Sequence, residues 1–127
     1  MSLSYYRKKI TEYEQLRRTA YKKIDTNDAA LAKLNEIKPL LISLEGYLRS
    51  AENNFQNGGY LYNNETLSQG KLLEDADKVA EGLTTVTDSI DKLTRENADH
   101  RSNIRYYNRK IEWYKKQYNN AKKEETK

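Results

Sequence analysis

The stretch Asn57-Gly58-Gly59-Tyr60-Leu61-Tyr62-Asn63-Asn64 falls near the midpoint of a 127-residue chain. Two successive glycines cost a helix more backbone entropy than any other residue pair without proline. On each side of them runs a long series of apolar residues spaced three and four apart, the spacing of one helix face. A breaker between two matched helical patterns folds the chain back on itself. The expected fold is all-α: an elongated antiparallel helical hairpin of two long, coiled-coil-like helices. It forms one domain over residues 1–127, with a helix over about 3–56, a turn over about 57–66, a helix over about 67–121 and a frayed C-terminus.

The first series reads Leu3, Tyr6, Ile10, Tyr13, Arg17, Ala20, Ile24, Asn27, Leu31, Leu34, Ile37, Leu41, Leu44, Leu48, Ala51, Phe55. Ser2 and Ser4 are both suited to cap it, because a serine oxygen accepts from first-turn amides. Pro39 removes one backbone donor and crowds the preceding turn, so a kink or short break is expected near Ile37-Lys38. The successive three-residue steps from Leu31 through Leu34 to Ile37 point to the same place, as a local overwinding. The second series reads Leu72, Ala76, Val79, Leu83, Val86, Ile90, Leu93, Asn97, His100, Ile104, Tyr107, Ile111, Tyr114, Tyr118, Ala121. Thr66-Leu67-Ser68-Gln69 matches a capping box ahead of it, and Gly82 suggests close packing.

Folding about a centre near residue 62 makes partner numbers sum to about 124 and sets two polar interruptions, Asn27 and Asn97, opposite each other. A paired buried asparagine fixes register at some cost in stability. A two-helix seam buries little apolar surface against the chain entropy it must offset. Leu16, Leu40, Ile42, Tyr47, Leu61, Leu73 and Trp113 lie off that seam. Association with a further helix is therefore expected, from a second copy as a homodimer or from another helical protein.

Charged residues make up 33% of the chain and apolar residues 36%, which suits a narrow seam better than a broad core. With no cysteine and one histidine, His100, disulfide and thiol chemistry are excluded and no histidine cluster for a metal exists. No signal-peptide core or membrane-length apolar run is present, so the reading is a cytosolic protein with no membrane span, open to export by a signal-peptide-independent route. The net charge of +4 conceals a pattern. Residues 1–24 carry seven Lys/Arg against two Asp/Glu, residues 101–127 nine against three, and residues 25–100 seven against fourteen.

Eleven tyrosines stand against one phenylalanine. The antiparallel fold gathers Tyr5, Tyr6, Tyr13, Tyr21, Tyr106, Tyr107, Trp113, Tyr114 and Tyr118 at the basic end. Five of these fill seam positions. Tyr5, Tyr21, Tyr106 and Trp113 do not, and are the candidate partner contacts, since Tyr and Trp give large contact area with a polar handle. Arg7-Lys8-Lys9 and Arg109-Lys110 could grip phosphates. No recognition-helix motif accompanies them, and a solvated helix face is the favoured reading over nucleic-acid binding. His100 reads as a polar seam residue. Glu74, Asp75 and Asp77 read as a run that favours the helix dipole. No catalytic, cofactor or metal site is expected, and the function is read as binding.

The segment Ala51-Glu52-Asn53-Asn54-Phe55-Gln56-Asn57-Gly58-Gly59-Tyr60, then Leu61-Tyr62 and Gly70-Lys71-Leu72, resembles the WXG-like proteins of Gram-positive type VII secretion. Within that group it is most similar to the small helical partners of LXG toxins, the YwqH-like type. Two features depart from the wider group. Gly58-Gly59-Tyr60 stands where a Trp-x-Gly turn would be. The C-terminal Tyr-x-x-x-Asp/Glu export signal is absent, Tyr118 being followed by Lys122 and Tyr114 by Tyr118. The resemblance implies a non-catalytic adaptor or targeting factor. Its expected partners are the helical N-terminal domain of an LXG toxin, a second small helical partner and the secretion machinery.

Overall fold

A computed structural model describes residues 2–57 and 70–126, the side chains of residues 55–57 excepted. Two helices, α1 (Leu3–Asn57) and α2 (Lys71–Glu125), make up an all-α helical hairpin. Ser2 caps α1: its Oγ and its carbonyl both accept from the Tyr5 amide, at 3.2 and 3.1 Å. Ser4 lies within the helix.

α2 starts at Lys71, one residue before Leu72, the first member of its apolar series. Gly70 has φ of 90°, in the left-handed region that interrupts an α-helix. Its carbonyl accepts from the Glu74 amide at 2.9 Å and so opens the first turn. The stretch from Thr66 to Gln69 lies outside the described residues, as do Gly58, Gly59, Tyr60 and Leu61. Asn57 is the last residue of α1. The other end of α2 stays helical through Glu125 where fraying was expected. Lys122 and Lys123 complement the negative end of its dipole, and the Thr126 hydroxyl donates to the Lys123 carbonyl at 2.9 Å.

α1 runs unbroken through Pro39. The carbonyl that loses its donor belongs to Asn35, and both Asn35 and Pro39 are exposed. Water can meet that carbonyl, which removes the largest reason for the helix to stop.

The seam keeps a strict three-four alternation along α1, through Leu31, Leu34, Lys38, Leu41, Glu45, Leu48 and Glu52, each buried or half-buried. Two apolar residues expected in it, Ile37 and Leu44, are 42% and 44% exposed. The helix thus keeps its period and accepts polar residues in the seam, with no three-residue slip. Along α2, every expected seam position from Leu72 to Ala121 is buried or half-buried.

The chain divides into two compact units. Unit 1 comprises residues 1–29 and 93–127; unit 2 comprises residues 30–92. In unit 1, Ala20, Ile24 and Ile104 form a small buried cluster against which Tyr107 packs, and Ile111 is also buried. Among the described residues of unit 2, Ala76 is the fully buried apolar side chain, and the Glu52 side chain is 2% exposed. Glu52 Oε1 accepts from the Gly70 amide at 2.8 Å, which ties α1 to the turn that starts α2. Arg49 bridges the two helices of this unit, donating to Glu45 and to Asp77, each at 3.1 Å.

Candidate partner-binding surfaces

In unit 2 the displaced apolar residues form a stripe of their own. Ile37, Leu40, Leu44 and Tyr47 each sit one residue before a seam position, about 100° round the helix from it. Their exposures are 42%, 69%, 44% and 71%. The steps of three, four and three repeat the seam's period, so α1 here carries two parallel apolar stripes. One faces α2; the other faces outward. Ile42 and Leu73 are exposed as well, at 51% and 37%. Residues 30–57 contain three Lys/Arg and three Asp/Glu, so the segment that carries this stripe has no net charge.

In unit 1 the aromatic rings form a contiguous cluster. Tyr13 stacks on Tyr114 at 5.9 Å between ring centres, and touches Tyr106 and Tyr107. Tyr114 also meets Tyr5, Tyr6 and, edge-on at 4.9 Å, Trp113. Three cations sit over ring faces: Lys9 over Tyr5, Lys110 over Tyr106 and Arg7 over Tyr118. Such placements hold a charged group beside apolar surface. Of the candidate contacts, Tyr5, Tyr21, Tyr106 and Trp113 are 36%, 51%, 43% and 52% exposed. Tyr5, Tyr106 and Trp113 belong to the cluster. No ring contact is described for Tyr21.

The phenols differ in acidity for visible reasons. Arg7 donates to the Tyr118 hydroxyl at 2.8 Å and holds that phenol below its usual range. Tyr13 is held above it, first by its hydrogen bond with Tyr106 and then by burial. Tyr114 is raised by burial among the rings and then by its bond with Tyr5.

Between the helices of unit 1 lies a polar layer. Asn97 is 2% exposed. Its Oδ1 accepts from Asn27 Nδ2 at 3.0 Å, and its Nδ2 donates to Asp28 Oδ1 at 3.0 Å. Asn27 Nδ2 also reaches Glu96 Oε2 at 3.4 Å. A carboxylate only accepts, so Asp28 fixes which way the Asn97 amide points, and that orients Asn27 in turn. The sequence reading had the two asparagines without the two carboxylates. Arg17, itself a member of the first series, donates to Asn108 at 2.8 Å, a partner the spacing does not indicate. Asp28, Glu96 and Asn108 each sit one position off the seam series, where spacing alone gives no signal.

His100 is half-buried on the same face of α2. Glu74 and Asp75 make ion pairs with Lys78 and Lys71 one turn away. Among the described residues no group of acidic and histidine side chains is placed to hold a metal ion, and no helix is long and apolar enough to cross a membrane. No protein-family model, curated protein or solved structure matches the chain.

Proposed function

We propose that this protein is a non-catalytic helical adaptor that binds the helical N-terminal domain of an LXG-type toxin and accompanies it to a type VII secretion machine. The observation that carries the binding role is the outward stripe Ile37, Leu40, Leu44 and Tyr47. A helix with two apolar stripes at heptad period packs one on its neighbour and offers the other to a third helix. Four large side chains left this exposed are costly unless something covers them. The toxin as partner, a second small helical protein beside it and a cytosolic site of binding rest on the likeness around Asn57–Tyr60 and Gly70-Lys71-Leu72.

Co-expression with an LXG N-terminal domain tests the reading. The expected result is one complex through gel filtration. The pair Leu40→Asp and Leu44→Asp should weaken it by about a hundredfold or more, since burial of each leucine contributes roughly 1.5–3 kcal/mol. Both residues are solvent-facing in the isolated chain, so its helix content should not change. Separate elution of the two proteins in mild salt would sink the reading, and so would undiminished binding by the double variant. The same stripe also suits a second copy of this chain. Light scattering on the isolated protein separates the cases, because a stable homodimer through this stripe would leave no face for a toxin.

A further inference from the structure

Unit 1 carries seventeen Lys/Arg against nine Asp/Glu, whereas unit 2 carries six against ten. The excess positive charge therefore belongs to the unit that holds the ring cluster. On α2, Tyr106, Arg109, Lys110 and Trp113 stand at i, i+3, i+4 and i+7, the spacing of one helix surface, and with Tyr114 they line a shallow depression. The cluster carries this surface across to α1 through the Tyr114–Tyr5 and Tyr13–Tyr106 contacts. Lys9 and Lys110 are already seated on its rings.

We propose that Tyr5, Tyr106 and Trp113, framed by Lys9, Arg109 and Lys110, form a second docking surface whose partner is an acidic amphipathic helix of another protein. Charge complementarity selects the sign of the partner. Lys9 Nζ already pairs with the Glu12 carboxylate of its own helix at 3.4 Å, so a cation of this surface is placed to donate to a carboxylate. The helical spacing of the aromatic and basic residues matches a ridge that a partner helix can pack along. Two other anionic partners fit less well. Stacked bases need open ring faces, and those of Tyr5 and Tyr106 carry ammonium groups. A bilayer surface needs an apolar face to bury, and among the described residues of unit 1 Leu16 is the one aliphatic side chain that is large, apolar and exposed.

Trp113 is the sole tryptophan of the chain, so its emission reports on this surface alone. The probe is a synthetic amphipathic peptide with leucine at heptad spacing, glutamate elsewhere and no aromatic residue. Its twin carries lysine for glutamate. Phosphatidylserine vesicles and a single-stranded oligonucleotide complete the set. The glutamate peptide should shift Trp113 emission to shorter wavelength. Its binding should fall about tenfold between roughly 50 and roughly 500 mM salt. Lys9→Glu with Lys110→Glu should weaken it about tenfold, and Tyr106→Ala should weaken it while leaving helix content unchanged. No shift with the glutamate peptide, equal binding of the lysine twin, or tighter binding of vesicles or oligonucleotide would overturn the proposal. The peptides carry no toxin sequence, so this result and the co-expression result stand independently.

Discussion

Asn97 shows how much one polar side chain settles in a thin seam. It is the largest fully buried side chain described, and both ends of its amide are used. Asn97→Asp would replace the donor facing Asp28 with a third carboxylate in the layer. Burial and its neighbours would raise the new group's pKa. The variant is then tolerated while that carboxyl is protonated and loses stability as pH rises above about 4. The expected cost at neutral pH is about 3 kcal/mol. Asn97→Leu should stay within about 1 kcal/mol of the parent, because Asp28 and Asn27 can regain water. Urea melts at neutral and acid pH measure both, and an aspartate variant as stable as the parent at neutral pH would refute this. The asparagine pairing was legible because both residues interrupt an apolar series at matching distances from the turn. Asp28 and Glu96 were not, because a charged residue beside a seam reads as solvated until its partner is placed.

At the scale of the element, α1 is a helix that keeps its period against its own composition. Apolar content alone favours Ile37 and Leu44 for the seam; heptad geometry favours Lys38 and Glu45, and geometry wins. Spacing rules cannot separate two stripes that both advance by three and four, which is why the inner one was misassigned over residues 35–45. The capping-box pattern at Thr66–Gln69 lies outside the described residues; the described part of α2 opens at Gly70, whose φ is 90°. Two substitutions follow from the helix interiors. Pro39→Ala restores a donor to the Asn35 carbonyl and should stabilise the chain by about 1–3 kcal/mol. Gly82 meets nothing where a Cβ would stand, so it does not mark close packing, and Gly82→Ala should add about 0.5–1 kcal/mol. Gly70→Ala, at positive φ, should instead cost about 1 kcal/mol. Denaturant midpoints of the three variants check the signs, and loss of stability in Pro39→Ala would refute the account of that helix.

For the whole molecule, the tie from Glu52 to the Gly70 amide has a kinetic consequence. It joins residues 18 apart in sequence, and the Arg49–Asp77 bridge spans 28. The Asn27–Asn97 pair spans 70, and Arg7–Tyr118 spans 111. Closing a loop costs entropy that rises with its length, and non-local contacts return nothing until that cost is met. Pairing is therefore expected to nucleate beside Glu52 and to zip toward the termini. Ala76→Gly should slow folding, whereas Ile111→Val should leave the folding rate almost unchanged and speed unfolding. Stopped-flow rates for the two variants measure this, and an equal slowing of folding by Ile111→Val would contradict it. On that order, the aromatic cluster around Trp113 should be the last part of the molecule to assemble and the first to come apart.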